Sequence, residues 1–124
     1  LESMHLYPPV RGVIKSRFSP RDNKYDIAIE TNPGELICAM MDGTIIGSYW
    51  TYDNGHIIQI QHSNNLTSIY KNNARCLKRV GAQVKTGEAI GVANDPVTGN
   101  TNTIVRFEIW YNGAPIDPQT YILF

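Results

Sequence analysis

Apolar residues recur along this chain in short alternating runs rather than in long helical stripes. From Ile57 to His62, Ile57, Gln59 and Gln61 alternate with Ile58, Ile60 and His62, a period of two rather than 3.6. Similar β-branched or aromatic runs, each bounded by turn formers, predict strands over 12–18, 26–29, 36–39, 44–50, 57–62, 68–71, 89–93 and 104–110. Asn112-Gly113, directly after the last run, is a hairpin signal because both residues tolerate positive φ. From 80 to 92 a glycine follows each short apolar pair (Val80-Gly81, Val84-Lys85-Thr86-Gly87, Ala89-Ile90-Gly91), the rhythm of a β-roll that reverses every few residues. Only two short helices are expected, 119–122 after Asp117-Pro118 and 73–79 before Val80-Gly81. The pattern predicts one all-β domain, an antiparallel sandwich or β-roll, with no linker or repeat dividing it.

Composition narrows the classes. At 124 residues, 42% hydrophobic and 18% charged, the chain can bury a core and is not a disordered segment. Eleven Lys+Arg balance eleven Asp+Glu, which argues against a nucleic-acid binder. No apolar run reaches the roughly 18–20 residues of a membrane span. Residues 1–7 read as a leader or a cloning remnant (Leu1-Glu2-Ser3 before Met4), and 8–124 as the domain. Cys38 and Cys76 allow one disulfide, but a core of this size needs none, so two partly buried free thiols are expected.

Several stretches in collinear order carry a family resemblance. Pro8-Pro9-Val10-Arg11-Gly12-Val13-Ile14-Lys15-Ser16-Arg17-Phe18 resembles the opening strand of the LytM/lysostaphin-type zinc metallopeptidases, peptidase family M23. Tyr25-Asp26-Ile27-Ala28 resembles its first metal-ligand segment, and Ala39-Met40-Met41-Asp42-Gly43-Thr44-Ile45 its A-x-x-D-G-T-V strand. The stretches 58–62, 66–70 and 80–91 match the central hairpin and glycine turns. Phe107-Glu108-Ile109-Trp110-Tyr111-Asn112-Gly113, then Pro115 through Tyr121, match the terminal strand and tail. The resemblance covers about residues 8–124 and implies the LytM fold, a duplicated hybrid motif of lipoyl-like barrel-sandwich type. It also implies a bacterial envelope setting, periplasmic or extracytoplasmic, with a membrane anchor upstream in many relatives.

Active members of that family hold zinc with the His and Asp of H-x-G-x-D and the second His of H-x-H. The first His of H-x-H and a His after the central Tyr act on protons or the oxyanion. Zinc needs three such ligands and one open position for a water. Here the first motif reads Asp22-Asn23-Lys24-Tyr25-Asp26, the residue two after Tyr70 is Asn72, and H-x-H reads Ile104-Val105-Arg106. Only Asp26 of the five positions is retained. Arginine offers no lone pair and stays protonated, so no zinc or other cofactor is expected. Oxygen donors at Asp22, Asp26 and Asn72 would suit calcium or magnesium, but the fixed charge of Arg106 repels a second cation. The histidines do not restore the set. His5 precedes the first strand, and His56 and His62 stand about 20 Å apart along an extended strand.

In place of the metal, Arg106 is expected to pair with Asp26, with Asp22 as a further acceptor and Ile104 filling the old catalytic space. Alternation puts Glu108 on the side of Ile104 and Arg106, as a second partner for the guanidinium. Lys71, Arg75, Lys78 and Arg79 read as a solvated edge, and Trp50 and Trp110 as packing or rim aromatics. The resulting expectation is a catalytically inactive domain. It would act by binding peptidoglycan or an envelope protein in a vestigial groove formed by Asp22, Asp26, Asn72, Ile104, Arg106 and Glu108. Two alternatives stay open. One is a zinc endopeptidase of peptidoglycan cross-links with an atypical site. The other is a lipoyl- or biotinyl-type carrier, against which 39–43 offers no lysine to modify.

Overall fold

The computed structural model describes residues 5–124, so the opening Leu1-Glu2-Ser3 lies outside the described residues. Among the described residues there are ten strands: β1 (Val13–Ser16), β2 (Ile27–Thr31), β3 (Leu36–Cys38), β4 (Gly43–Thr51), β5 (Gly55–His62), β6 (Leu66–Cys76), β7 (Gln83–Val84), β8 (Ala89–Ala93), β9 (Thr103–Tyr111) and β10 (Ala114–Ile116). Every pairing is antiparallel. The main sheet runs β1-β2-β9-β6-β5-β4-β7, with β10 beside β9 and a β3–β8 ribbon joined through β6. The all-β expectation and its eight strand positions hold. β7 and β10 were not anticipated, being too short to show a period.

Strand β6 links the two layers. Its first part, Leu66 to Lys71, pairs with β9, while Asn73 to Cys76 pairs with β8. Between them Asn72 adopts a left-handed φ of 71°, and the register against β5 slips there. An asparagine tolerates that conformation at such a bulge far better than a branched residue. The helix expected over 73–79 is therefore corrected: Asn73–Cys76 has strand partners in Ala93, Val92 and Gly91, and those ladder bonds override the weak local preference. The other expected helix forms as α1 (Pro118–Tyr121), where Asp117 Oδ1 accepts the Gln119 N–H at 3.0 Å and Pro118 opens the first turn.

The turn chemistry follows the sequence. Asn112 and Gly113, at φ 51° and 80°, close the β9–β10 hairpin. Gly81 and Gly87 take φ of 94° and 79° in the glycine-spaced segment, whereas Gly91 is extended and lies directly against the Asn73 amide oxygen, leaving no room for a Cβ.

One apolar core fills the space between the layers. Ile27, Ile29, Ile58, Ile60, Tyr70, Phe107 and Ile109 from the main sheet meet Ile37 and Ile90 from the β3–β8 ribbon. Leu6 packs against this core, and the Tyr7 N–H donates to Met40 O at 2.8 Å. Both cysteines are free and half-buried.

A buried polar chain crosses the sheet beneath β4. His62 Nδ1 faces the Asp42 carbonyl at 2.8 Å and must donate to it, so Nε2 accepts from the Ser68 hydroxyl at 2.7 Å. Ser68 Oγ lies 2.7 Å from Tyr70 OH, which accepts the Met40 N–H at 3.0 Å. His62 is therefore a structural group, as expected for a strand histidine. Burial pushes its imidazole below the ordinary value, against the opposing pull of the Asp42 and Met41 carbonyls. The unfolded chain takes up this proton near pH ~6.5 while the folded one does not. Stability should thus fall as pH drops from ~6.5 toward the lower folded value, then level off. Urea midpoints on either side of that window will show the drop in the wild type and a flatter profile in His62→Gln. Equal wild-type midpoints would refute this role.

Candidate functional site

The outer face of the main sheet carries the chemistry. Along β9 the odd positions Thr103, Val105, Phe107 and Ile109 are buried toward the core, which turns Ile104, Arg106, Glu108 and Trp110 to the other face. Cross-strand register then decides who meets whom. Arg106 stands opposite Ala28 of β2 on one side and Lys71 of β6 on the other. Asp26, two residues before Ala28, falls on the same face. It leaves a 3-10 turn, Pro20–Asp22, closed by Asn23 at φ 58° and by the Ser19–Lys24 bridge.

The resulting floor is an ion-pair group. Lys71 Nζ contacts Glu108 Oε2 and lies 3.5 Å from Asp26 Oδ2. Trp110 Nε1 donates to Glu108 Oε1 at 2.7 Å, which satisfies the second carboxylate oxygen. Arg106 Nη1 reaches Asp26 Oδ1 at 3.4 Å. The Lys71, Asp26 and Glu108 side chains are only 18%, 16% and 10% exposed, while that of Arg106 is 45% exposed.

Two expectations are corrected here. Lys71 is not part of a solvated edge: it alternates with buried Tyr70, so it faces the floor and supplies the central cation. Its face, rather than the charge of its neighbours, was the signal that reveals this. Glu108 does not serve Arg106 but pairs with Lys71 and Trp110. The Arg106–Asp26 contact exists but is long and open to solvent, because Lys71 already occupies the other oxygen of Asp26.

The remaining expected positions are placed as follows. Asn72 Nδ2 donates to Ile104 O at 2.7 Å and Thr103 Oγ1 at 3.2 Å, its N–H donates to Asn54 O, and its Oδ1 accepts from Asn94 Nδ2. It is a structural tie between β9 and two loops. Ile104 is half-buried beside it in a cavity of about 460 Å³ that also takes in Trp50, Tyr52, Asp53, Asp95 and Arg106. A second cavity, about 360 Å³, lies between Lys24, Tyr25, Asp26, Arg106, Glu108 and Trp110. Asn54, Lys71 and Arg106 line both, making one continuous groove. Asp22 is not brought into it: the exposed carboxylate accepts the Ser19 hydroxyl at 2.8 Å and lines neither cavity. The loop residues Asn54, Asp53, Asn94 and Asp95 carry no periodic signal and escaped sequence reasoning.

A zinc ion does not fit this donor set. Asp26 is the one retained ligand type, and its oxygens face two cations. Ile104 has no donor atom, Arg106 has no free lone pair, and the Asn72 amide is committed to backbone and neighbours. Among the described residues, no group of three or more His, Cys, Asp or Glu side chains is placed to hold a metal. The open Arg106–Asp26 contact also sets a magnitude. Arg106→Ala should cost only about 0–1 kcal/mol in chemical unfolding, well below the range of a buried pair. A loss of several kcal/mol would mean that Arg106, rather than Lys71, secures Asp26.

Comparison with known proteins places this chain in a family. The chain is 28% identical over 117 residues to the murein hydrolase activator NlpD of Escherichia coli, covering 94% of this chain and 30% of the relative. It is 32% identical over 113 residues to the peptidoglycan DD-endopeptidase ShyC of Vibrio cholerae, covering 90% of this chain and 24% of the relative. Among solved structures, Helicobacter pylori Csd3 superposes with a TM-score of 0.81 at 28% identity, over 96% of this chain and 33% of that one. The chain thus spans about a third or less of these relatives' length. The family model for peptidase family M23 matches residues 22–118, from the turn before Asp26 through the β9–β10 hairpin, and the chain belongs to that family.

Proposed function

We propose that this M23 domain works by binding in its groove rather than by cleavage, as a regulator or scaffold for cell-wall enzymes in the bacterial envelope. The observation that carries the reading is the Lys71 ammonium set between Asp26 and Glu108. A fixed monovalent charge there leaves nothing to activate a water. Relatives named for cell-wall work, one of them a murein hydrolase activator, support the envelope setting and a role toward peptidoglycan enzymes. No helix among the described residues is long and apolar enough to cross a membrane.

The second reading is an endopeptidase with an atypical site, favoured by the likeness to ShyC. Against it stands the chemistry of Ile104, Arg106 and Asn72. The test is to add the purified domain to isolated sacculi with and without envelope extract from the source organism. The binding reading expects no peptide release by the domain alone, and a change in release by the extract's hydrolases when the domain is present. Release by the domain alone would overturn it.

A further inference from the structure

Most strand edges in this molecule are short or blunted. β1, at one end of the main sheet, carries Lys15, which pairs with Glu30, and lies between Arg11 and Arg17. β3 is three residues long and gives its Cys38 N–H to Pro9 O at 2.7 Å. β10 is equally short and contains Pro115. Short strands, charges and prolines keep an edge from adding a foreign strand. β4, near the other end of the sheet, lacks these devices. Its nine residues pair with β5 on one side, but on the other β7 covers only Gly43 and Thr44. The turn 79–82 then closes on Ile45, whose N–H donates to Ala82 O at 2.9 Å and whose carbonyl accepts the Gly81 N–H at 2.7 Å. Past that turn, residues 47–51 take no backbone hydrogen bond beyond those to β5, among the described residues.

That open edge suits a copy of itself. No residue from 43 to 52 is charged or a proline, and Ile46, Tyr49, Trp50 and Tyr52 are exposed. An antiparallel self-pair centred on Tyr49 uses all of 47–51: Gly47 stands opposite Thr51, Ser48 opposite Trp50, and Tyr49 opposite its equivalent. The turn at Ile45 stops the added strand from sliding further, and sliding back would lose ladder bonds, so the register is fixed. In this register the β4–β5 hairpin tip of one copy, with exposed Asp53, reaches the turn of the other, with exposed Arg79. The two-fold axis makes that contact twice. Within one copy neither Asp53 nor Arg79 takes part in an ion pair among the described residues.

We propose that two copies of this chain join β4 to β4 across a two-fold axis, extending the main sheet of one copy into that of the next. The occupant is a second copy because the two flanks of the edge complement each other. An acidic tip and a basic turn stand at the separation that antiparallel self-pairing requires. Ladder hydrogen bonds and the Tyr49 pair hold the strands, and the Asp53–Arg79 contacts set their register. Such an isologous contact closes at the dimer. Directly opposed residues of an antiparallel pair point to one face, so both grooves open on the same side of the joined sheet. The inference does not depend on whether the groove binds or cleaves.

The test is sedimentation equilibrium of the purified chain from about 10 µM to about 1 mM, where a short ladder is expected to give a monomer–dimer equilibrium with a Kd of about 10–100 µM. Amide hydrogen exchange at 47–51 should slow as the concentration rises. Tyr49→Lys sets two ammonium groups face to face at the axis and should raise Kd at least about tenfold. Asp53→Arg and Arg79→Asp should each raise it about three- to tenfold, and the two together should return it to within about twofold of the wild type. All three side chains are exposed, so every variant should keep the wild-type circular dichroism spectrum. Added salt should weaken the wild-type dimer. A monomer at every concentration, association that runs past the dimer, an unaffected Tyr49→Lys, or a charge-swapped double variant no tighter than the single ones would each overturn the proposal. A monomer would overturn it even if the edge took up a strand from another protein.

Discussion

Lys71→Met is expected to lower the stability of the domain by about 3 kcal/mol, read as a fall in urea midpoint without a change in slope. The ammonium lies between two carboxylates that are mostly withdrawn from water, and methionine keeps the stem's volume while removing the charge. Asp26 retains only the long contact to Arg106, and Glu108 retains only the Trp110 indole. Two carboxylates then face one another across a poorly solvated floor, and their repulsion adds to the lost attraction. Partial exposure keeps the loss at the lower end of the range for buried pairs. A second substitution isolates the cause. Glu108→Gln in the Lys71→Met background should recover a large part of the loss, since a neutral amide needs no cation and can still accept from Trp110. If Lys71→Met is neutral, the lysine is merely a solvated side chain and the ion-pair floor does not hold the site together.

Phe107→Ala is expected to cost more, about 3–5 kcal/mol. Phe107 is fully buried between Arg106 and Glu108 in sequence, stands opposite Ile27 and Tyr70 in register, and its ring centroid lies 5.2 Å from that of Tyr70. Its removal opens a void directly under the floor, at the point where β2, β9 and β6 are held side by side. Neighbours on a ten-stranded sheet can collapse only partly into that space. Phe107→Leu, which keeps most of the volume, should cost about 1.5 kcal/mol or less. Because β9 presents Arg106 and Glu108 on its opposite face, Phe107→Ala should also broaden their NMR signals. A loss below about 1 kcal/mol would show that the ring is not part of the packed core.

Much of this fold could be read from residue pattern. Strand β8 falls where the apolar-glycine run places it, and β9 extends one residue beyond its expected bounds at each end. Those segments alternate strongly and end in residues with defined turn chemistry. The run after Asn73 could not be read correctly, because its strand character comes from β8, which lies across space and not beside it in sequence. The site was legible where the resemblance to the family's motifs brings Asp26 and Arg106 together, and where strand alternation sets Glu108 on the face of Ile104 and Arg106. The charge that Lys71 shares with Arg75, Lys78 and Arg79 hides its direction, which buried Tyr70 beside it fixes. The motif position of Asp22 points into the groove, but the turn it ends holds its carboxylate on the Ser19 hydroxyl instead. Asp53, Asn54 and Asp95 reach the groove from loops, whose paths depend on tertiary contacts and not on periodicity.

In the proposed reading, charges that the chain itself supplies stand on the floor where active members of the family hold a dication. Asp26 has two positive neighbours, Lys71 and Arg106. In the proposed binding reading, the groove and its aromatic rims serve recognition rather than cleavage.

The most direct measurement is the zinc content of the purified domain, taken together with its action on cross-linked cell-wall peptides before and after a chelator. Zinc at background level and no cleavage under either condition is the expected result. Stoichiometric zinc with cleavage that the chelator abolishes would contradict it.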